Sequence, residues 1–420
     1  KNNMFIKFMQ ISFIKQLYEE ENNMKKNKGI TLVALVVTIV VLLILAGVSI
    51  NLVLGNNGII VKAKDAETKS AEASQNDLKG MNSLVSEMEG ALAGNGGTGG
   101  SGTDTKVPAE ATAETAPYFP DNTFTKKEGT IDKGLVIQDA SGNEYVWVVV
   151  PKSLYNNTTY NSNNDKKPSS STDYANIEYC LQQYTATYRS KTRYSDVYYA
   201  DDKNVGWFAD ETAYNNFKNS MLKSVYENGG FYVGRYEAGI GTNRTSIEEQ
   251  VDGKYPVPTT VPVTKADAYP YTYVTRTQAK SLAEGVKTQQ GYKAKTKLVS
   301  SYAWDTTIAF LQNVNSDYGS SSEEGNYYDT TFSYTDITGA KKTKASNSQV
   351  LVPTGQTTPV CNIYDMGGNV FEWTTEFCSD SPSAGRGGDY GYYTNYPAGY
   401  RVTLSDSATD NYGFRLTLFM

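Results

Sequence analysis

The stretch "YDMGGNVFEW", Tyr364–Trp373, combines a pair of glycines with large apolar side chains and two carboxylates. Gly367 and Gly368 allow a tight turn in which φ is positive. Asn369 can hydrogen-bond the neighbouring backbone and hold that turn. Because the apolar side chains that follow supply packing, the sequence predicts a tight turn fixed against an apolar core.

The two carboxylates of this stretch, Asp365 and Glu372, are its only charges. Carboxylates and turn carbonyls together suit a hard cation such as calcium. The alternative is that Glu372 only accepts hydrogen bonds from the backbone N–H groups of the turn. The residue types leave both possibilities open.

Upstream of the turn, the sequence predicts two buried strands and three helices. The strands lie in "GNEYVWVVVP", Gly142–Pro151, and "GGFYVGRYEAG", Gly229–Gly239. The helices are one capped by Asp210 and ended by Gly229, and two shorter ones in Thr275–Val286 and Ser300–Val314. About the last 70 residues have no helix-length apolar period, which indicates short strands and loops. This order favours an α+β domain with its helices first.

Five motifs occur in the order seen in the formylglycine-generating-enzyme family, also called the sulfatase-modifying-factor family. They are "GNEYVWVVVP", "GGFYVGRYEAG", "IYDMGGNVFEW", "GRGGDYG" and the terminal "GFRLTL". The resemblance covers about residues 117–420 and implies a C-type-lectin-like fold. It also implies calcium at the glycine turn, with the ligands Asp365, Gly368, Val370 and Glu372, the two middle ones through their backbone oxygens.

The catalytic cysteines of the aerobic enzymes of that family have no counterpart here. Those enzymes oxidise a substrate cysteine with two cysteines that hold copper, and one lies directly after "GFR", where this chain has Leu416. Leucine neither binds copper nor exchanges disulfides. Cys361 and Cys378 do not match the catalytic positions, and whether they pair with each other is open. Since histidine is also absent from the chain, we expect no enzyme, no catalytic residues and no copper.

The arginines of "RGG" and "GFR", Arg386 and Arg415, are interpreted as structural. A planar guanidinium that donates two parallel hydrogen bonds suits a buried carboxylate partner. The sequence therefore predicts buried ion pairs at both motifs.

The segment "DYGYYTNYPAGYRVTLSDSATDNY", Asp389–Tyr412, has the composition of a binding surface. Aromatic anchors are mixed with small polar residues that adapt to a partner, as in antibody loops. The predicted ligand-binding residues are Asp389, Tyr390, Tyr392, Tyr393, Asn395, Tyr400, Val402, Thr403, Asp406 and Asp410. The segment resembles the variable proteins of diversity-generating retroelements, which use the same lectin-like fold. The alternative is a fixed family member whose end loop is only polar.

The segment Ile30–Leu54 carries no charge over roughly 25 residues, enough to cross a hydrocarbon core of about 30 Å as a helix. Three lysines precede it, and positive residues stay cytoplasmic, so we expect the remainder of the chain outside. The sequence thus predicts a single-pass membrane protein.

The residues before this segment resemble the cleavage site of type IV prepilins. The stretch is "KNKGITLVALVV", and the resemblance implies processing between Gly29 and Ile30. Pilins carry a glutamate at the fifth mature position, whereas this chain has Ala34. A plain membrane anchor is the alternative.

Four regions are expected along the chain. Residues 1–23 are an upstream or non-native extension, 24–92 a prepilin-like transmembrane helix with a polar helical extension, 93–116 a flexible Gly/Ser-rich linker, and 117–420 the outer domain. The expected fold class is α+β, with a C-type-lectin-like domain behind a long N-terminal transmembrane or pilin-like helix.

The sequence as a whole predicts a receptor or adhesin of a bacterial cell surface, with its C-terminal domain extracellular. The expected partners are an extracellular protein or glycan, the membrane through Ile30–Leu54, and pilus or secretion machinery. A minor pilin or pseudopilin is one alternative, and a formylglycine-generating-type oxidase is another. Nucleic acid is not expected, because 39 lysines and arginines stand against 45 aspartates and glutamates.

Overall fold

The computed structural model describes residues 14–15, 117–185, 194–195, 208–320, 325–378 and 383–420. The chain divides into two compact units, Lys1–Gly99 and Gly100–Met420, and the boundary falls within the predicted linker. Of the first unit, only Ile14 and Lys15 are described. The predicted helix Ile30–Leu54, the processing site at Gly29 and Ile30, and the linker lie outside the described residues.

The second unit contains strands and helices throughout its described length. In chain order the strands are β1 Thr125–Glu128, β2 Val136–Gln138, β3 Glu144–Val149, β4 Tyr194–Ser195, β5 Gly230–Gly234, β6 Gly239–Ile240, β7 Tyr269–Pro270, β8 Lys295–Leu298, β9 Phe332–Thr335, β10 Lys341–Lys344, β11 Phe371–Trp373, β12 Phe377–Cys378, β13 Ser383–Arg386, β14 Arg401–Leu404, β15 Tyr412–Phe414 and β16 Leu416–Phe419. The α-helices are α1 Tyr174–Tyr184, α2 Glu211–Asn228, α3 Arg276–Gln290 and α4 Ser301–Leu311, and short 3-10 helices span Ile131–Lys133 and Lys152–Asn156.

The helices begin and end at the residues that capping chemistry favours. The Asp210 side chain accepts the Ala213 N–H at the start of α2, and Gly229 ends that helix with φ 72°. Helix α3 begins with a capping box between Thr275 and Gln278. The three helices predicted from the sequence are therefore confirmed, and α1 is an additional helix.

The main sheet has six antiparallel strands in the order β1-β2-β3-β5-β16-β8. It separates two apolar clusters, because side chains alternate between the faces of a strand. Tyr145 and Trp147 of β3 pack in the cluster that contains α3, whereas Val146 and Val148 pack with α1, α2 and α4. The strand predicted in "GNEYVWVVVP" is confirmed and is almost wholly buried.

A second sheet places the glycine turn beside the aromatic segment. Its order is β14-β13-β11-β15, with antiparallel pairing except between β11 and β15, which are parallel. Strand β11 directly follows the glycine turn. Strand β13 ends just before the segment Asp389–Tyr412, β14 lies within it, and β15 begins at its last residue. Small two-stranded sheets complete the fold, with the pairs β9–β10, β4–β12 and β6–β7.

The described part of the chain contains no helix that is long and apolar enough to cross a membrane. Helix α2, with 18 residues, is amphipathic and exposes Glu211, Lys223 and Glu227. The expected fold class, with a transmembrane or pilin-like helix ahead of the domain, is corrected by this finding. So is the expected single-pass location in a bacterial cell membrane. The described residues form a mixed α/β unit with four helices and mostly antiparallel sheets.

Candidate functional site

A group of tyrosines forms an exposed patch at the start of the segment Asp389–Tyr412. We call it the aromatic face and define it as Tyr328, Tyr392, Tyr393, Tyr396 and Tyr400. Three of its members stand out among the exposed large side chains, with Tyr392 40%, Tyr393 54% and Tyr400 36% exposed. The rings of Tyr392 and Tyr396 lie 4.8 Å apart, and those of Tyr396 and Tyr400 4.4 Å apart. Tyr393 contacts Tyr328 at 5.4 Å, so rings support rings across the patch.

The aromatic face continues into the core through Phe371. The buried ring of Phe371 lies 5.3 Å from Tyr392, in an edge-on arrangement. Tyr412 contacts Phe371 at 6.3 Å and the buried Trp373 at 5.1 Å. The glycine-turn motif therefore supplies buried side chains on which the aromatic face packs.

Asp389 and Tyr390, both predicted to bind ligand, hold the base of the segment. The buried Asp389 carboxylate accepts the Gly391 N–H at 2.7 Å and the Asn411 side-chain amide at 2.5 Å. Burial raises the pKa of Asp389 to about 6, and these hydrogen bonds oppose the rise. The Tyr390 hydroxyl donates to Asp410 at 2.8 Å. These contacts close the segment on itself, since Asn411 lies at its far end.

A neighbouring loop fixes the backbone of the face from the side. The Tyr328 N–H donates to the Tyr392 carbonyl at 2.7 Å. The Asp329 carboxylate accepts the Thr394 N–H and the Thr394 hydroxyl, both at 2.9 Å. The loop is in turn held by the buried Lys344.

Lys344 donates to several backbone carbonyls at once. Its ammonium lies 2.5 Å from the Tyr327 carbonyl, 2.8 Å from that of Thr330 and 3.2 Å from that of Ser348. These three carbonyls face a single cation, so the loop has one geometry that satisfies them all. Lys344 thereby positions Tyr328 and Asp329 against the aromatic face.

A buried charge network holds the far side of the face. Arg386 pairs with Asp305 at 2.6 Å, and Arg401 pairs with Asp305 and with Glu376, the latter at 3.0 Å. Arg386 also donates to the Tyr400 carbonyl at 3.1 Å. The prediction that the "RGG" arginine forms a buried ion pair is confirmed.

Some of the remaining predicted ligand-binding residues support the segment from within the fold, and others lie at its surface. Val402 and Thr403 lie in β14 and are partly buried. Asp406 accepts the Arg276 N–H at 3.0 Å, at the beginning of α3. Asn395 and Asp410 are exposed. The structure therefore brings together Tyr392, Tyr393, Asn395 and Tyr400 as surface, and places the others below or beside them.

Both carboxylates of the glycine turn, Asp365 and Glu372, accept hydrogen bonds from other groups of the protein. Arg415 donates through Nε to both oxygens of Glu372 at 3.1 Å and through Nη2 at 2.7 Å. The Asp365 carboxylate accepts the Gly355 N–H and, at 3.0 Å, the Thr357 hydroxyl. The predicted ion pair of the "GFR" arginine is thus confirmed, with Glu372 as its partner.

These contacts do not fit a calcium site made of Asp365, Gly368, Val370 and Glu372. A guanidinium occupies the side of Glu372 from which a cation would be bound, and it lies 3.0 Å from the Asp365 carbonyl as well. The part of the chain that the structure describes contains no group of three or more acidic, cysteine or histidine side chains suited to a metal ion. We therefore derive no role for calcium at this turn.

Glu237 lies in the same buried region as Glu372. Its Oε2 atom accepts the Asn369 amide at 2.7 Å, while Oε1 has no hydrogen-bond partner among the described residues. Burial raises the pKa of Glu237 well above its usual value, and the charges of Asp365 and Glu372 raise it further. The surroundings of Glu237 therefore favour its protonated form over its ionised form.

The thiols of the described residues are poor candidates for redox chemistry. Cys180 and Cys361 are free and buried, and burial raises the pKa of each to about 11. Both therefore stay protonated near neutral pH, whereas the thiolate is the reactive form. Cys361 forms no disulfide in this structure. Leu416 is buried in β16 opposite Leu298, within the sheet.

No model of a known protein family matches this chain, and no curated protein matches it either. The resemblance to the formylglycine-generating-enzyme family stays a prediction that depends on the five motifs.

The contributors to the site that were not predicted include Tyr328, Asp329, Lys344 and Tyr396. Tyr396 had a usable signal, because Tyr392, Tyr396 and Tyr400 recur at every fourth position. Tyr328, Asp329 and Lys344 come from a distant stretch, and only the folded chain brings them to the face.

Proposed function

We propose that this protein is a non-catalytic ligand-binding protein, and that the aromatic face is its contact surface for a protein or glycan ligand. The observation that carries the proposal is the contrast between exposed rings and a backbone that is held by hydrogen bonds beneath them. Tyr392, Tyr393 and Tyr400 reach solvent, while the backbone beneath them is fixed by the buried Arg386 and the partly buried Asp329.

Preorganisation is what such a surface needs. Binding costs free energy whenever a loop or a long side chain has to be ordered, and tyrosine has only two side-chain torsions to fix. The Tyr328 N–H, the Asp329 carboxylate and the Arg386 guanidinium order the loop before a ligand arrives. Exposed tyrosines on a rigid support are also typical of interface hot spots.

The same separation supports diversification by a retroelement as part of the proposal. The side chain at an exposed position such as Asn395 or Tyr400 can be replaced while the hydrogen bonds that hold the backbone of the segment remain. Supporting positions such as Asp389 and Arg386 cannot, because their side chains hold the segment. A diversified protein therefore needs this division between surface and support.

The proposal is tested by probing the full chain on arrays of defined proteins and defined glycans. The test variant carries Tyr392→Ser and Tyr400→Ser, and the control carries Tyr255→Ser, because Tyr255 is 38% exposed and lies outside the aromatic face. We expect saturable binding that the double variant loses and the control keeps. Equal binding by all three proteins, or no binding by any, would overturn the proposal.

A further inference from the structure

We propose that the ligand of the aromatic face is a protein segment rich in lysine and arginine. This inference deepens the proposed function and rests on it. It follows from the charges that the face and its surroundings present to solvent.

The accessible charges of the segment Asp389–Tyr412 are negative. Within Asp389–Tyr412 the charged residues are three aspartates and Arg401. Arg401 is buried and neutralised by Asp305 and Glu376. Asp410 is exposed and Asp406 is partly exposed, so carboxylates remain as the charges of this segment that a partner can reach.

The neighbouring loop adds to this negative character. Asp329 is partly exposed and lies between Tyr328, whose ring contacts Tyr393, and Thr394, whose N–H and hydroxyl it accepts. The cation that contacts this loop, Lys344, is buried among backbone carbonyls. Its charge is therefore directed inward, away from a ligand.

Exposed tyrosine rings next to carboxylates favour a cationic partner. The face of an aromatic ring attracts ammonium and guanidinium groups, and guanidinium also stacks on it. Carboxylates beside the rings add direct pairing and suppress acidic partners by repulsion. The chain as a whole has a formal net charge of −6, which steers a basic partner towards it at low salt. An acidic glycan would be repelled by the same carboxylates.

The test is a selection of displayed random peptides on the immobilised full chain, run beside a defined glycan array. Peptides retained by the Tyr392→Ser/Tyr400→Ser variant are discarded, and the Tyr255→Ser variant serves as the matched control. The remaining binders are sequenced for net charge. Their dissociation constants are then measured at about 50 mM and about 500 mM salt, a range over which exposed charge pairs become screened.

We expect binders enriched in lysine and arginine, whose dissociation constants rise roughly tenfold at the higher salt. Asp410→Asn should weaken them several-fold, because the amide oxygen keeps the hydrogen bond from Tyr390 while the charge is lost. Face-dependent binders that are neutral or acidic peptides, or glycans only, would overturn this inference and leave the proposed function standing. If neither collection yields a face-dependent binder, both fail.

Discussion

Arg386 Nη2 lies 2.6 Å from Asp305 Oδ1, with both side chains fully buried. The same guanidinium donates to the carbonyls of Tyr400 and Gly399 at 3.1 and 3.3 Å. One ion pair thus joins α4 to the exposed aromatic face. The buried charge of this protein therefore serves both the stability of the fold and the geometry of its surface.

Removing the shared carboxylate of this network should be costly. Asp305→Ala removes the carboxylate that pairs with both Arg386 and Arg401. Removal of one partner from a buried ion pair lowers the free energy of unfolding by about 3–5 kcal/mol. Urea denaturation of the full chain measures the change in the free energy of unfolding.

The control for that experiment is Glu227→Ala. Glu227 pairs with Lys223 at 3.9 Å on the exposed side of α2, and such surface pairs contribute about 0–1 kcal/mol. A loss no larger for Asp305→Ala than for Glu227→Ala would contradict the structural role of the network.

Glu237 should make stability depend on pH. Burial raises its pKa well above the usual 4.5, so the folded state binds a proton that the unfolded state releases once the pH exceeds about 4.5. Stability is therefore greatest below the unfolded pKa and falls as the pH rises towards the folded value, by up to about 1.4 kcal/mol per pH unit. Glu237→Gln keeps an uncharged polar group and should remove this contribution. Urea denaturation at about pH 5 and about pH 7 measures how the free energy of unfolding changes with pH. The same pH dependence in both proteins would count against a raised pKa of Glu237.

Lys344→Met should loosen the aromatic face more than the fold. The variant keeps a long apolar side chain but removes the ammonium that donates to the carbonyls of Tyr327, Thr330 and Ser348, which should cost about 1–3 kcal/mol. Hydrogen exchange at the amides of Tyr328 and Thr394 should become faster, since both bonds depend on this loop.

The matched variant is Lys342→Met on the same hairpin. Lys342 pairs with Asp336 at the surface, far less buried than Lys344, and its loss should leave both amides unchanged. Equal exchange in the two variants would show that Lys344 does not position the face.

Calcium should not stabilise the protein through the glycine turn. The side chain of Glu372 is bound by Arg415, and that of Asp365 by Gly355 and Thr357. Thermal unfolding in excess calcium and in excess chelator should therefore give the same midpoint within about 1 °C. A shift of that size corresponds to a change in stability of only a few tenths of a kcal/mol. A higher midpoint in calcium that Glu372→Gln abolishes would restore the predicted metal site.

Local chemistry made much of the fold predictable. Helix α2 follows from the cap at Asp210 and the glycine at its end, and β3 from a run of buried β-branched and aromatic residues. The structural role of Arg386 and Arg415 follows from the preference of a bidentate guanidinium for carboxylates.

Partners across long stretches of chain could not be predicted in the same way. Asp305 meets Arg386 only because α4 packs against the second sheet, and no local pattern encodes that contact. Asp389 and Tyr390 have the residue types of a contact surface, yet their polar atoms are used inside the segment. Composition indicates what a segment can do, whereas burial determines which of its residues do it. The expected transmembrane location is corrected by the described residues, which contain no helix long and apolar enough to cross a membrane.

The most direct test of the aromatic face is the affinity of the full chain for one selected ligand after Tyr392→Ala and Tyr400→Ala, each made separately. The account predicts that either change costs at least about 2 kcal/mol of binding free energy, as for interface hot spots, while the free energy of unfolding changes by less than about 1 kcal/mol. Tyr255→Ala should change neither quantity. Unchanged affinity in both face variants, with the fold intact, would contradict the central claim that these exposed rings are the binding surface.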